Sequence, residues 1–221
     1  MNGILVPTQP GWPVTLRAGA LVLRPLRRAD QANWNQVRAA NVAWLAQWDA
    51  TAPPQMGPGV GSFVDMLRGQ RAQARDGRAL PWVLAWDESW PKNSTHSSLI
   101  GQITVSGIVR GSAQSAYIGY WIDHRWAGRG LVPLGVALAS DYCFQTLRLH
   151  RLEIDILPEN ERSHKVVAKV GYRPDGQRSS MLHINGTWRD HDAFIMTEDE
   201  APRSLTARLL AGRGVPTGDS S

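Results

Sequence analysis

The sequence predicts an α+β fold, one mixed and mostly antiparallel sheet flanked by helices. Two observations carry this reading. Elements follow the order strand, two helices, three strands, helix, strand, helix, two strands, which fits neither a doubly wound sheet nor a sandwich. The three middle strands succeed one another across short links, which implies an antiparallel meander.

Residues 21–25 (LVLRP) read as the first strand, and Asp30 is positioned to cap a long helix carrying Trp34, Val37, Val42, Trp44 and Leu45. The run TAPPQMGPGVG is turn-rich. From Ser62 to about Arg75, Phe63, Met66 and Leu67 share one helical face. The stretches PWVLAWD, LIGQITVSGIV and SAYIGYWID are strands, separated by turn material at SWPKNSTHSS and RGSAQ. Residues 130–147 are apolar at helical spacing, residues 151–157 (RLEIDIL) form a strand, and residues 161–169 form a helix closed by Gly171. A last hairpin, residues 179–184 with 187–196, turns at Asn185-Gly186, a dipeptide that supplies positive φ at both central turn positions.

A chain of 221 residues buries a continuous core without staples. Residues 1–200 are expected to form a single domain, and residues 201–221, thinning into Gly, Pro, Ser and Thr, a flexible tail. Cys143 is the single cysteine, and no Cys/His cluster has zinc spacing, so no metal is expected. The start lacks a positive segment followed by an apolar run, and no stretch approaches eighteen apolar residues, so a cytoplasmic protein without a membrane partner is expected. The net charge of +5 favours polyanionic partners. Arg28, Arg68, Arg71 and Arg75 also read simply as solvated helix faces, and no RNA-binding signature accompanies them, so sequence-specific nucleic-acid binding is not expected.

The chemistry concentrates in YIGYWID (117–123), followed by HRWAGRG (124–130) and the apolar helix. A strand, a glycine loop and a helix start in that order turn main-chain N–H groups toward one point and add the positive end of the helix dipole, which suits a pyrophosphate. Gly128 and Gly130 let the backbone approach phosphates closely, and Arg125 and Arg129 add rim charge. A tight turn before a helix reads equally from a G-x-G alone. The loop lacks both G-x-G-x-x-G and Gly-Lys-Ser/Thr, which disfavours a dinucleotide fold and a triphosphate loop.

Arg125-x-x-Gly128-x-Gly130 resembles the acyl-CoA loop of the GNAT superfamily of N-acetyltransferases. HRLEIDILPENERSHKVVAKVGY (150–172) is similar to the next strand and helix of that superfamily, and VRGSAQSAYIGYWI and HINGTWRDH resemble its RimJ/RimL branch, the ribosomal-protein-alanine N-acetyltransferases. The resemblance implies a pair of parallel strands that splay apart, with the pantetheine of acetyl-CoA lying in the gap against the edge at Trp121, Ile122 and Asp123. It places phosphates on Arg125, Ala127, Gly128, Arg129 and Gly130. It implies that Asn160 bonds the pantetheine arm and Ser163 serves the leaving sulfur, although Asn160 is also a good N-cap and a first-turn serine needs no further role. Many superfamily members carry a tyrosine seven residues after this asparagine; here the position is Val167.

The implied partner is the N-terminus of a ribosomal protein, with association with the ribosome left open. Asp49 falls where the branch carries an acidic residue near the acceptor and is the candidate base, with Asp65 or a held water as rivals. Glu153 and Asp155 share one strand face and read either as cleft residues or as partners of Arg151 or a histidine. Lys165 reads as a phosphate contact or a solvated lysine, and Trp44, Trp48 and Trp188 as cleft or core. A small-amine acetyltransferase and a non-catalytic acyl-CoA-binding, ribosome-associated factor remain alternative functions.

Overall fold

A computed structural model of the chain describes residues 3–56, 61–92 and 97–212. In chain order the elements are β1 (Ile4–Leu5), β2 (Leu16–Ala18), β3 (Leu21–Pro25), α1 (Gln31–Ala40), α2 (Val42–Leu45), α3 (Phe63–Arg75), β4 (Leu80–Trp86), β5 (Ser98–Val109), β6 (Ser115–Ile122), α4 (Leu131–Asp141), β7 (Arg151–Ile156), α5 (Glu161–Val170), β8 (Arg173–Ile184), β9 (Thr187–Thr197) and α6 (Leu205–Ala211). The strands form one sheet in the order β1-β2-β3-β4-β5-β6-β7-β9-β8. Every neighbouring pair is antiparallel except β6 and β7.

Helices cover both faces. On one face α4 is buried along its whole length and packs with α5 and α6 over Leu23, Leu84, Ile103 and Ile118. Gly135 sets the depth of that contact: a Cβ there would stand 2.5 Å from Ile103 Cδ1. On the other face Val37 of α1 and Phe63 and Leu67 of α3 pack against Val22, Val83 and Leu99. Burial of each such leucine or valine stabilises the fold by about 1.5–3 kcal/mol.

The predicted meander, the parting helices and the Asn185-Gly186 hairpin are all present, with φ of 45° and 89° at the two turn residues. Three local features differ. The first predicted helix is divided at Asn41, which is fully buried and whose amide donates to Val37 O at 2.8 Å while its oxygen accepts from the His124 N–H at 2.9 Å. Asp30 does not cap α1 with its side chain; its carboxylate receives both Arg24 nitrogens at 2.8 Å and the Arg27 N–H at 2.7 Å. Arg24 is thus neutralised inside the fold.

The third difference concerns the end of the chain. Asp141, buried at the end of α4, accepts from Leu205 N at 2.9 Å, Thr206 N at 3.0 Å and Ser204 Oγ at 2.9 Å. Those bonds satisfy the first N–H groups of α6, and Leu205 and Leu209 then join the core. The segment expected as a tail from residue 201 holds a packed helix through Ala211, because the Asp141 carboxylate that anchors its start is remote in sequence, where composition does not show it. Residues 57–60 and 93–96, read as turn material, and residues 213–221 of the expected tail lie outside the described residues. Among the described residues no helix is long and apolar enough to cross a membrane.

Candidate active site

The strands β6 and β7 pair over three positions, Ser115 with Arg151, Ala116 with Leu152 and Tyr117 with Glu153. Both continue, to Ile122 and Ile156, without further pairing. A parallel sheet that opens at the carboxyl ends of its strands leaves main-chain groups unpaired along two facing edges. One of these, the Ile122 carbonyl, receives the indole N–H of Trp44 at 3.1 Å.

Beyond β6 the chain turns through a short helical turn, His124–Trp126, capped by Asp123, which accepts the Arg125 N–H at 3.1 Å. Gly128 and Gly130 follow at φ of 78° and 71°, a left-handed conformation that side-chain-bearing residues adopt at a cost of roughly 1–2 kcal/mol. Around Gly128 a Cβ would meet only open space, so the loop surface is exposed backbone. Leu134 N–H returns to Gly130 O at 3.4 Å, Pro133 has no N–H, and the N–H groups of Leu131 and Val132 have no intrahelical acceptor. The arrangement is a positive helix end facing a cavity.

That cavity holds about 620 Å³ and is lined by the loop, the start of α4, the end of β6, Trp44 and Trp48, and α5. Arg162, Lys165 and Lys169 bring positive charge to its α5 side, and Arg162 stacks over the Trp44 ring at 4.5 Å. A second cavity of about 300 Å³ lies against Gln102, Thr104, Gly119, Asp155 and His191. The two share Trp48, Asp49, Tyr120, Trp121, Asn160 and Ser163, so they meet where the strands part. In a larger basic groove between α3 and the β2 approach, Arg27, Arg28, Arg68, Arg71 and Arg75 line a separate surface that shares none of these residues.

The sequence of the Acetyltransferase (GNAT) domain matches residues 20–173. The chain belongs to the GNAT acetyltransferase family. Its fold superposes on that of Mycobacterium smegmatis RimJ in complex with CoA-disulfide with a TM-score of 0.81 and 34% identity, covering 93% of this chain and 97% of the other. It is 38% identical over 104 residues to the probable N-acetyltransferase YjcK of Bacillus subtilis, covering 46% of this chain and 58% of that protein. It is 37% identical over 99 residues to the ribosomal protein uS5-alanine N-acetyltransferase of Escherichia coli, covering 45% of this chain and 51% of that protein. The chain thus spans about half the length of the curated relatives it matches.

In this member of the family, Asp49, Trp121, Ile122, Ala127, Gly128, Gly130, Asn160 and Ser163 converge on the larger cavity. Asp123, Arg125 and Arg129 do not line it. Asp123 is buried, and the Arg125 guanidinium turns back onto it, with Nε 2.9 Å from Oδ2. Although burial, the largest influence, opposes ionisation, the hydrogen bonds from Arg125 and Asn41 hold the Asp123 carboxyl below its usual range. Arg129 lies over the Trp126 ring, 4.7 Å from its centre. Asp49 is paired with Arg38 at 2.5 Å, and Asp65, its rival, is an exposed partner of Ser62 and Arg68 outside both cavities.

Asn160 uses its side-chain oxygen to cap α5, accepting from Ser163 N at 3.1 Å, and this holds Ser163 at the junction of the cavities. Tyr120 is the residue that sequence reading overlooked. Its hydroxyl is buried beside the Ser163 side chain yet out of hydrogen-bond geometry, and burial pushes the phenol well above its ordinary range, Ser163 offsetting only part. Alternation along β6 was the available signal, because Tyr120 falls on the same face as Ala116 and Ile118, toward α4 and α5.

A roof closes the smaller cavity. Ala50 bridges Ile184, Thr51 N–H donates to His183 O at 2.8 Å, and Thr51 Oγ1 lies 2.7 Å from His183 Nδ1. The segment carrying Trp48 and Asp49 is thereby fixed to the tip of the β8–β9 hairpin.

Proposed function

We propose that this enzyme transfers the acetyl group of acetyl-CoA to the α-amine at the N-terminus of a protein, in the cytoplasm, with Ala-first ribosomal proteins as the substrate class. The single observation that supports it most is the meeting of two cavities at Ser163, where β6 and β7 part. The larger suits an acyl donor and the smaller an acceptor. The names of its relatives, RimJ and the uS5-alanine N-acetyltransferase, support the substrate class.

The residues present fit acetyl-CoA. Backbone at Gly128 is open to a ligand, the N–H groups of Leu131 and Val132 have no intrahelical acceptor, and Arg162, Lys165 and Lys169 add cations, which is the donor set a diphosphate needs. Trp121 and Ile122 present the free strand edge to the amides of pantetheine. Acetyl-CoA supplies an activated acetyl thioester. Ser163, held by the Asn160 cap, donates a hydrogen bond to the departing sulfur, with Tyr120 behind it. Asp49 adds negative charge to the acceptor side and draws an ammonium toward it, while its Oδ2 stays bound to Arg38.

Incubation with acetyl-CoA and peptides beginning Ala, Ser, Met or Lys, read by mass spectrometry, tests this. Modification of the α-amine with a preference for Ala is expected. Acetylation confined to lysine side chains, or a strong preference for a polyamine over every peptide, would overturn it.

A further inference from the structure

The smaller cavity contains an acidic group with one buried oxygen that no described residue satisfies. Glu153 and Asp155 project from the same face of β7. Glu153 is fully engaged: Arg151 lies 2.7 Å from one of its oxygens and Arg178 lies 3.0 Å from the other, and both arginines also hold Asp175, at 2.7 and 3.2 Å. Asp155 is two residues further on, past the last paired position of β6 and β7. Its Oδ1 is buried and has no hydrogen-bond partner among the described residues.

A buried carboxylate oxygen without a donor costs stability, and the cost is offset when a ligand brings a donor. The neighbours of Asp155 describe that ligand. The carboxyl lines the smaller cavity with Gln102, Thr104 and His191, and Gly119 on β6 leaves the floor open, since a Cβ there would meet nothing within 4 Å. Ser163 and Asn160 line the same cavity at its junction with the larger one. A group that enters here with spare N–H donors and positive charge meets an acceptor with none.

We propose that Asp155 receives the ammonium of the acceptor and acts as the general base of the transfer, an inference that rests on the acetyltransferase reading above. One N–H bond of the ammonium breaks and an O–H bond forms at Asp155, leaving an electron pair on nitrogen. That pair forms the C–N bond to the thioester carbon, and the pair of the breaking C–S bond leaves with sulfur. The second N–H proton ends on the thiol, and Asp155 later releases its proton to water. Ammonium and thioester thus give amide, thiol and one proton.

The charged groups facing Asp155 are Glu153 and Arg151 on its own strand, Asp175 and Arg178 on β8, His191 on β9 and Asp49 from the roof. Burial acts most strongly, the charge of Glu153 and a hydrogen bond shared with it add to it, and the two arginines oppose them, so the carboxyl is pushed up to about 7. That matches the task, since an α-ammonium has a pKa of about 8 and proton transfer works best between groups of similar pKa.

The test compares wild type with Asp155→Asn and Asp49→Asn, using an Ala-first peptide. In Asp155→Asn, kcat/KM at pH 7 falls at least ~100-fold, CoA affinity stays within about threefold, and the acid limb of the pH profile near neutrality disappears. With no acetyl-CoA present, calorimetry shows the peptide binding Asp155→Asn at least tenfold more weakly, and a carboxyl titrating near neutrality is missing from difference infrared spectra. An Asp155→Asn protein with wild-type kcat/KM and an unchanged pH profile overturns the proposal, as does loss of that acid limb in Asp49→Asn instead. A wild-type protein that acetylates no α-amine overturns the substrate reading of the preceding section, whereas the peptide-binding and infrared results still decide for or against Asp155.

Discussion

The indole N–H of Trp44 donates to the carbonyl oxygen of Ile122 across 3.1 Å, occupying an edge group of the parted strands that a ligand adding as a further strand would need. Acyl-donor binding therefore competes with this bond. Titration with CoA should change the tryptophan emission, and Trp44→Phe should lose most of that change while binding CoA as tightly as wild type or more so. A tenfold weaker affinity in Trp44→Phe would show that the indole supports the ligand instead of making way for it.

Ser163 stands where the cavities join, with its backbone N–H on the Asn160 cap and its hydroxyl beside Tyr120. Ser163→Ala should lower kcat by roughly 10–100-fold, the loss of one hydrogen bond to a charged group at about 1.5–3 kcal/mol. CoA affinity and melting temperature should change little. Equal kcat in the two proteins would remove Ser163 from the chemistry.

Gly128 combines a φ of 78° with open space at its Cβ position. Gly128→Val should cost about 1–2 kcal/mol of stability through the left-handed backbone and abolish CoA binding by covering the main chain. Calorimetry and thermal melting separate the two effects, and retained affinity would place the phosphates elsewhere.

Asp155 also carries a stability signature with a definite sign. The unfolded carboxyl ionises near 3.8 and the folded one near 7, because burial opposes the charge. Between those values the folded state binds more protons, so this group's contribution to stability declines as pH rises from about 4 to about 7 and is level above. Asp155→Asn should remove the decline, and its melting temperature relative to wild type should rise across that window. A difference independent of pH would mean that the carboxyl titrates normally.

Asp141 holds the start of α6 through three hydrogen bonds. Asp141→Ala should release residues 204–212 to rapid proteolysis and destabilise the protein by about 3 kcal/mol, the scale of losing hydrogen bonds to a carboxylate and leaving buried N–H groups without an acceptor. Limited proteolysis with mass mapping reads the release directly.

Local chemistry made much of this legible in advance. The meander, the Asn185-Gly186 turn and the Arg125–Gly130 loop each depend on residues adjacent in sequence, and the structure forms all three. The strands β1 and β2 escaped notice because two or three residues carry no period, and only the pairing of β1 with β2 and of β2 with β3 makes them strands. Asn41 and Asp141 act through partners 83 and 64 residues away, so neither the break between α1 and α2 nor the docking of α6 is visible locally. The site divides in the same way. Glycines and the α5 cap were readable from spacing, whereas the pairing of Arg125 with Asp123 two residues before it was not. The contrast between Glu153 and Asp155 depends on Arg178, which reaches back from another strand.

The bridge between Ala50 and Ile184, with Thr51 on His183, builds the roof of the smaller cavity, the proposed acceptor site, from two segments that are remote in sequence and separate from the glycine loop. Selection can therefore lengthen, shorten or rewrite the hairpin tip and change which amines are admitted while the acyl-donor half keeps its residues. A descendant with a new acceptor would carry its novelty in residues 50, 51 and 182–188, and grafting those two stretches together, never one alone, is the economical route to changing what the smaller cavity admits.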